Sequence, residues 1–405
     1  MRVGKTGHLS YCTNIHAGES WTEMFENLKV YLLNIKQKVS EKEPFGIGLR
    51  LSHQAAVELS NKTVLQSFKK WLILNNLYVF TINGFPYGNF HGETIKDQVH
   101  TPDWTTDLRK EYTILLFDIL GALVPEHLVG GISTSPISYK YWYTTEVRLE
   151  DAKIKACDYL IDVVQHLMDI KNLTGKSMHL DIEPEPDGCI ENSKEFLHFY
   201  NDYLLKLGVP LLMKKNNYTT NEADNAIREH IQLCFDICHF SIAYEKPSEV
   251  IKKMRDNRIK IGKVQISAAL KCNLENNNTI QELQNYLRPF HEPNYLHQAV
   301  IKTKENNYLK FRDLDVAIAA MNVANFKELR THYHVPVFLA EYQELQSTQD
   351  DIIETLQLWK TDNFTDHLEI ETYTWDVLPD KMKTDIIGAV TREINWVRNS
   401  IGQTI

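Results

Sequence analysis

The chain has 405 residues, with 44 Lys and Arg against 53 Asp and Glu and a formal charge of -9. That balance offers no general basic field, so a nucleic-acid partner is not expected, and no apolar run approaches the roughly 18 to 20 residues that a membrane-spanning helix needs. The cysteines Cys12, Cys157, Cys189, Cys234, Cys238 and Cys272 form no CxxC pair, and His8, Ser10 and Asn14 interrupt any apolar leader, which together predict a reducing, cytoplasmic setting.

In chain order, short β-rich segments alternate with longer stretches of helical period, the signature of βαβ units around a parallel sheet. The strand candidates are Leu9–Thr13, Gly46–Leu51, Tyr78–Asn83, Val129–Thr134, Met178–Glu183, Gln232–Ile237, Lys263–Ser267, Val335–Tyr342 and Leu368–Trp375. The amphipathic stretches between them are Trp21–Val39, Ala56–Leu74, Asp107–Leu123, Leu149–Ile170, Ser193–Lys206, Lys246–Arg255, Leu314–Glu328, Thr348–Trp359 and Lys381–Asn399. No low-complexity linker divides the chain, so one domain over 1–405 is expected.

Strand parity separates an open sheet from a barrel. In Met178–Glu183, Met178, Leu180 and Ile182 oppose His179, Asp181 and Glu183, and in the next strand Leu233, Phe235 and Ile237 oppose Gln232, Cys234, Asp236 and Cys238. Leu368 and Ile370 likewise oppose Glu369 and Glu371. A parallel sheet covered by helices on both faces would show near-continuous apolar strands. The alternation instead predicts an α/β fold of the (β/α)8 TIM-barrel class whose interior is polar near the mouth. Val335–Tyr342 breaks this pattern and is read as an inserted element, with Leu368–Trp375 as the eighth strand. Lys271 to His334 is long for one crossover, and an insertion at 271–345 is expected between the seventh and eighth strands, of the kind that closes over a substrate or forms a surface excursion.

Hard divalent cations take oxygen ligands and borderline ones accept imidazole, so carboxylates and histidines at strand ends are the candidates. Glu183 closes the fifth strand in HLDIEPEPDG, Asp236 ends the sixth in FDICHF, and Glu371 lies in the eighth in LEIETYTW. Three carboxylates crowded at one mouth repel unless a cation or a shared proton relieves them, although any one alone could simply cap a helix. His239 lies three residues beyond Asp236, and Gln265 in KVQIS faces inward with an amide oxygen able to ligate. Substrate-side candidates are His16, Arg50, His53, Asn83, His91, His332 and His334. His332 and His334 have same-face strand spacing and could fold over the site or sit on an exposed edge strand. No GxSxG or HExxH is present, which disfavours nucleophilic acyl transfer.

Glu183 after a fifth strand, Asp236-Ile-Cys-His239 after a sixth and Glu371 in a last strand resemble the xylose isomerase-like barrel superfamily of sugar isomerases, epimerases and AP endonuclease relatives. More narrowly, HAGESW, FPYGNFHGE, GGISTSP, HLDIEPEPDG, FDICHF, HYHVPVF and LEIETYTWDVLP are similar to the EboE type of metabolite-traffic protein. The resemblance implies a cytoplasmic bacterial protein that handles or exports a secondary metabolite, with that small molecule and other proteins of the same pathway as partners. It also implies a divalent metal, Zn, Mn or Mg, on Glu183, Asp236 and Glu371, with His239 beside the substrate. Gln265 stands where many members place a metal-ligating histidine, and His332, His334 or His297 could replace it.

The expected function is therefore a metal-dependent isomerase or epimerase acting on a small polyhydroxylated or carbonyl compound, with Glu183, Glu371 and His239 as catalytic residues. The alternative is a barrel that binds a metabolite or a partner at the same mouth without turnover.

Overall fold

The computed structural model describes residues 1–85, 96–275, 279–293, 295–321, 325–375, 378 and 383–402. Eight strands run parallel in chain order: Gly7–Tyr11, Phe45–Arg50, Leu77–Asn83, Gly130–Thr134, Met178–Ile182, Ile231–Asp236, Ile261–Ile266 and His367–Ile370. Neighbours in sequence pair, and the eighth strand lies between the first and the seventh. The seam between first and second strands is closed by the parallel bridge of Cys12 to Gly48 and by the Ser10 hydroxyl, which accepts from Gly48 N and donates to the Gly46 carbonyl, both at 2.9 Å. Arg2–Val3 adds a short antiparallel strand to the outer side of the first.

The barrel interior carries charge. Lys263 Nζ lies 2.6 Å from Glu369 Oε2, both side chains fully buried, and the Asn83 amide donates to both Glu369 oxygens at 3.0 and 3.1 Å. Glycine at 48 makes room for this layer, because a Cβ there would stand 1.5 Å from Glu369 Oε1. Apolar side chains of the opposite parity, such as Leu9, Ile47, Val79, Leu180, Leu233, Val264 and Leu368, form the core between strands and helices.

Most helices follow the expected segments, with four corrections. The stretch Ala56–Leu74 is two helices, His53–Leu59 and Lys62–Leu74, because Asn61 caps the second through its side-chain oxygen, which accepts from Thr63 N and Val64 N. Leu314–Glu328 is helical only over Leu314–Ala320, and Phe326 already starts a strand that pairs on both sides, so tertiary pairing overrides local period. Helices Gly208–Asn216, Thr220–His230 and Ile280–Leu287 were not anticipated, although Thr219 with Glu222 and Thr279 with Glu282 form capping boxes. Ile237–Ile242, expected as strand end and loop, is a short helix capped by Asp236.

Between the seventh and eighth barrel strands the chain builds a second, antiparallel sheet. Its order is Tyr308–Phe311, Ala299–Thr303, Phe326–Val335, Ala268–Asn273, Leu345–Ser347 and Glu341–Tyr342. Ala268–Asn273 continues directly from the seventh strand after Ser267, which anchors this sheet at the carboxyl end of the barrel. Val335–Tyr342 lies outside the barrel. Among the described residues no helix is long and apolar enough to cross a membrane.

Candidate metal centre

The residues with chemistry converge where the strands end. Glu183 follows the fifth strand directly, and its amide donates to the Thr134 carbonyl at 3.0 Å, which carries the ladder one step past the strand. Glu371 follows the eighth strand in the same way, donating to the Ile266 carbonyl at 3.0 Å, and its Oε1 accepts from Asn14 Nδ2 at 3.1 Å. Both carboxylates were expected inside their strands and instead lie one residue beyond them.

Asp236 does two things. Its Oδ1 caps the helix Ile237–Ile242, accepting from His239 N at 3.0 Å and from the Ser267 hydroxyl at 2.8 Å, while its fully buried Oδ2 has no hydrogen-bond partner. The capping geometry turns His239 back over the mouth, where its Nδ1 donates to the Pro184 carbonyl at 2.9 Å and its Nε2 meets His332 Nε2 at 3.1 Å.

His332 and His334 lie on Phe326–Val335, which is flanked on both sides, so the exposed-edge alternative is excluded. Both are buried and face the same pocket as Glu183, His239 and Glu371. That pocket encloses about 880 Å³ including its open mouth, and Arg50, His100, Glu185 and Tyr373 also line it. Arg50 pairs with Glu19 at 3.1 Å.

Other candidates lie elsewhere. Asn83 and Gln265 are buried in the barrel interior, Gln265 in register with Asp236 on the neighbouring strand, and Gln265 Nε2 donates to Asn83 Oδ1 at 2.9 Å. The Gln265 amide is thereby oriented, and its Oε1 is left as a buried acceptor without a partner. His16 stacks on Tyr31 with ring centres 4.6 Å apart and bonds the Tyr11 hydroxyl at 2.9 Å. His53 opens the helix His53–Leu59. Neither is among the residues lining the pocket. His297 is engaged on both nitrogens, with the His332 carbonyl and with Glu292, each at 2.9 Å, so it is not the missing ligand. His91 lies outside the described residues.

Electrostatics explain why this mouth suits a cation. Burial, reinforced by Asp236 and Glu185, pushes the Glu183 carboxyl well above its ordinary value. Burial, with Glu183 and Asp236 close by, does the same to Glu371. Glu185 rises to about 8, from burial and then Asp236 and Asp187. Burial also acts to raise Asp236, but His239, His334 and the Ser267 hydroxyl outweigh it and hold that group below its ordinary value. Anionic forms of the two glutamates are thus disfavoured as the protein stands, and a divalent ion among them would remove the penalty. Glu183, Asp236 and His239 place ligand atoms within 4.8 Å of one another. With the unpartnered Asp236 Oδ2 and Gln265 Oε1, the donor set fits a metal.

Sequence reasoning missed Glu185, His100, Tyr373 and Gln298. The doubled Glu-Pro in EPEP was the available signal for Glu185. Nothing local marks His100, which reaches the pocket from the chain after the third strand and sits 4.0 Å from Glu185.

The eight-stranded barrel with its polar mouth and strand-end carboxylates has the xylose isomerase-like TIM-barrel fold. Among solved structures the chain is similar to a xylose isomerase-like TIM barrel protein from Mycobacterium smegmatis in complex with magnesium, at 10 % identity over 99 % of this chain and 98 % of that chain, with a TM-score of 0.51. It is also similar to a xylose isomerase domain protein from Planctomyces limnophilus, at 12 % identity over 100 % of both chains (TM-score 0.49), and to a D-tagatose 3-epimerase-like protein, at 10 % identity over 97 % of both (TM-score 0.48). No protein-family profile matches the chain, and no curated protein matches it in sequence.

Proposed function

We propose that this protein is a divalent-metal-dependent isomerase or epimerase acting on a small polyhydroxylated or carbonyl compound. Through its likeness to the EboE type, we assign it to the cytoplasmic handling or export of a bacterial secondary metabolite, alongside other proteins of that pathway. The observation that carries the catalytic reading is that Glu183 and Glu371 line one pocket with buried Asp236 close enough to act on both, its Oδ2 without a hydrogen-bond partner.

Glu183, Asp236 and Glu371, with the amide oxygen of Gln265, would hold the ion, of the Zn, Mn or Mg group. When bound, a cation there lowers the cost of negative charge on a substrate oxygen next to the carbon that changes configuration. Glu183 and Glu371, carboxylates that line the pocket beside that ion, would take a proton from carbon and return it. Asn14, held 3.1 Å from Glu371, and the imidazole of His239 are placed to orient hydroxyl groups. Tyr373 and, from the inserted sheet, His332 and His334 line the same pocket.

The test is proton exchange at carbon. Purified protein with each metal is incubated in D2O with a panel of ketoses, aldoses and related carbonyl compounds, and deuterium incorporation is followed by NMR. Incorporation is expected in the wild type and abolished in Glu183→Gln and Glu371→Gln. Full exchange retained in both variants would sink the assignment of these residues. Tight binding of a compound recovered unchanged would favour a barrel that binds without turnover.

A further inference from the structure

The inserted sheet brings to this mouth two imidazoles that no barrel strand supplies. His332 and His334 stand two residues apart on Phe326–Val335, next to a slip in its ladder with Ala268–Asn273 between Thr331 and His334. Together with His239 they form a group whose ligand atoms all lie within 4.8 Å of one another, every member buried.

The hydrogen bonds behind the rings determine what faces inward. His239 Nδ1 is 2.9 Å from the Pro184 carbonyl, His332 Nδ1 is 2.9 Å from Gln298 Oε1, and His334 Nδ1 is 2.8 Å from the Glu371 carbonyl. The Gln298 amide is oriented because its Nε2 donates to the Pro186 carbonyl at 3.2 Å. All three partners are oxygens that can only accept, so each Nδ1 carries the proton and each neutral ring turns a bare Nε2 lone pair to the pocket. Nε2 of His239 and Nε2 of His332 are 3.1 Å apart, and Nε2 of His334 has no partner although the residue is only 1 % exposed. Two lone pairs at that separation repel unless a positive charge lies between them. Rings backed by acceptors on Nδ1 are the usual support of metal-bound histidines.

We propose that Nε2 of His239, His332 and His334 form a cation position of their own, contiguous with the carboxylate cluster, with Asp236 Oδ2 4.0 Å from His239 Nε2. Three neutral imidazoles select a borderline ion of the zinc class over magnesium, which prefers oxygen donors. The inference rests on reading this mouth as a metal site, and it makes His239 a ligand rather than a free acceptor for substrate hydroxyls.

The experiment uses the full chain without a histidine tag, stripped by a chelator and titrated with Zn²⁺ against a chromophoric competitor, with Co²⁺ absorption as the second readout. The wild type is expected to take up zinc and to give a Co²⁺ spectrum with imidazole character. In His332→Ala/His334→Ala the imidazole character of the Co²⁺ spectrum should be lost, together with the zinc equivalent held by these rings, whose affinity should fall at least about 100-fold while any ion on the carboxylate cluster stays, since losing direct ligands costs more than losing an orienting partner. Gln298→Leu, which removes the acceptor behind His332 along with the amide's bond to the Pro186 carbonyl, should weaken zinc about 10- to 100-fold with circular dichroism unchanged. Glu371→Gln should leave the Co²⁺ spectrum in place. Unaltered zinc affinity in the double histidine variant, with loss in Glu371→Gln, would overturn the imidazole site and leave the carboxylate site standing. No uptake by the wild type, with the imidazoles sharing a proton by nitrogen NMR, would overturn both.

Discussion

Replacing Lys263 by Met tests whether the charged layer inside the barrel is held together as the structure indicates. Lys263 Nζ lies 2.6 Å from Glu369 Oε2, 3.1 Å from Asn83 Oδ1 and 3.4 Å from the Ser133 hydroxyl, with no exposed surface on either charged side chain. At an effective dielectric constant of about 20, a pair at this separation attracts by about 6 kcal/mol. Much of that offsets the cost of taking both ions out of water, so the attraction is not the net worth of the pair. Methionine fills a similar volume but leaves Glu369 as a buried anion that keeps only the Asn83 amide, and an uncompensated charge of this kind costs about 3 to 5 kcal/mol. Adding Glu369→Gln removes the charge while keeping an oxygen that accepts from Asn83, so the double variant should recover part of the loss. The assay is urea denaturation at neutral pH, followed by tryptophan fluorescence and circular dichroism together. A loss below about 1 kcal/mol in Lys263→Met, the scale of an exposed pair, would refute the reasoning. So would a double variant less stable than the single one.

Two further outcomes are expected. Gly48→Ala puts a Cβ 1.5 Å from Glu369 Oε1 and 2.9 Å from the Tyr11 carbonyl oxygen, so the ion pair or the seam strand must move. The loss should reach or exceed the upper end of the about 1 to 3 kcal/mol usual for overpacking, read as a fall in Tm, and an unchanged Tm would contradict the packing described. Glu393 is pushed up to about 7 by burial, against the Thr372 hydroxyl at 2.7 Å and the Val337 amide at 3.1 Å, which both donate to its Oε1. A carboxyl whose proton affinity is raised by folding stabilises fully below its unfolded value and loses that contribution as pH rises through the folded one. Over the interval from 4.5 to about 7 this amounts to about 3 kcal/mol. Glu393→Gln keeps the acceptor and should flatten the Tm profile between those limits, whereas parallel profiles would show that Glu393 is not the titrating group.

The barrel and the carboxylates at its mouth were legible because both follow from local alternation. Each strand places every second side chain inward, so Asp181, Asp236 and Glu369 announce a polar interior wherever Leu180, Phe235 and Leu368 fill the outer face. The same parity, continued one residue past the strand, carries Glu183 and Glu371 to the mouth. It could not separate the roles of Asn83 and Gln265, which share the inward parity of Asp236: Asn83 binds Lys263 and Glu369 inside the barrel, while Gln265, in register with Asp236, donates to Asn83 and keeps its oxygen unpartnered. Depth along the barrel axis depends on the stagger of eight strands.

The amino-acid sequence by itself determined the alternation of strands and helices, the polar interior and the carboxylates at the strand ends, since each depends on neighbours within a few residues. Only the tertiary structure decided that His332 and His334 join His239, that His100 and Glu185 share their pocket, and that His16 and His53 turn to other neighbours. Those outcomes depend on how an antiparallel sheet starting at Ala268 packs back over the barrel, and on which carbonyl each imidazole finds when it does. Contacts between residues some 90 positions apart, such as His239 with His332, leave no period in the sequence to read.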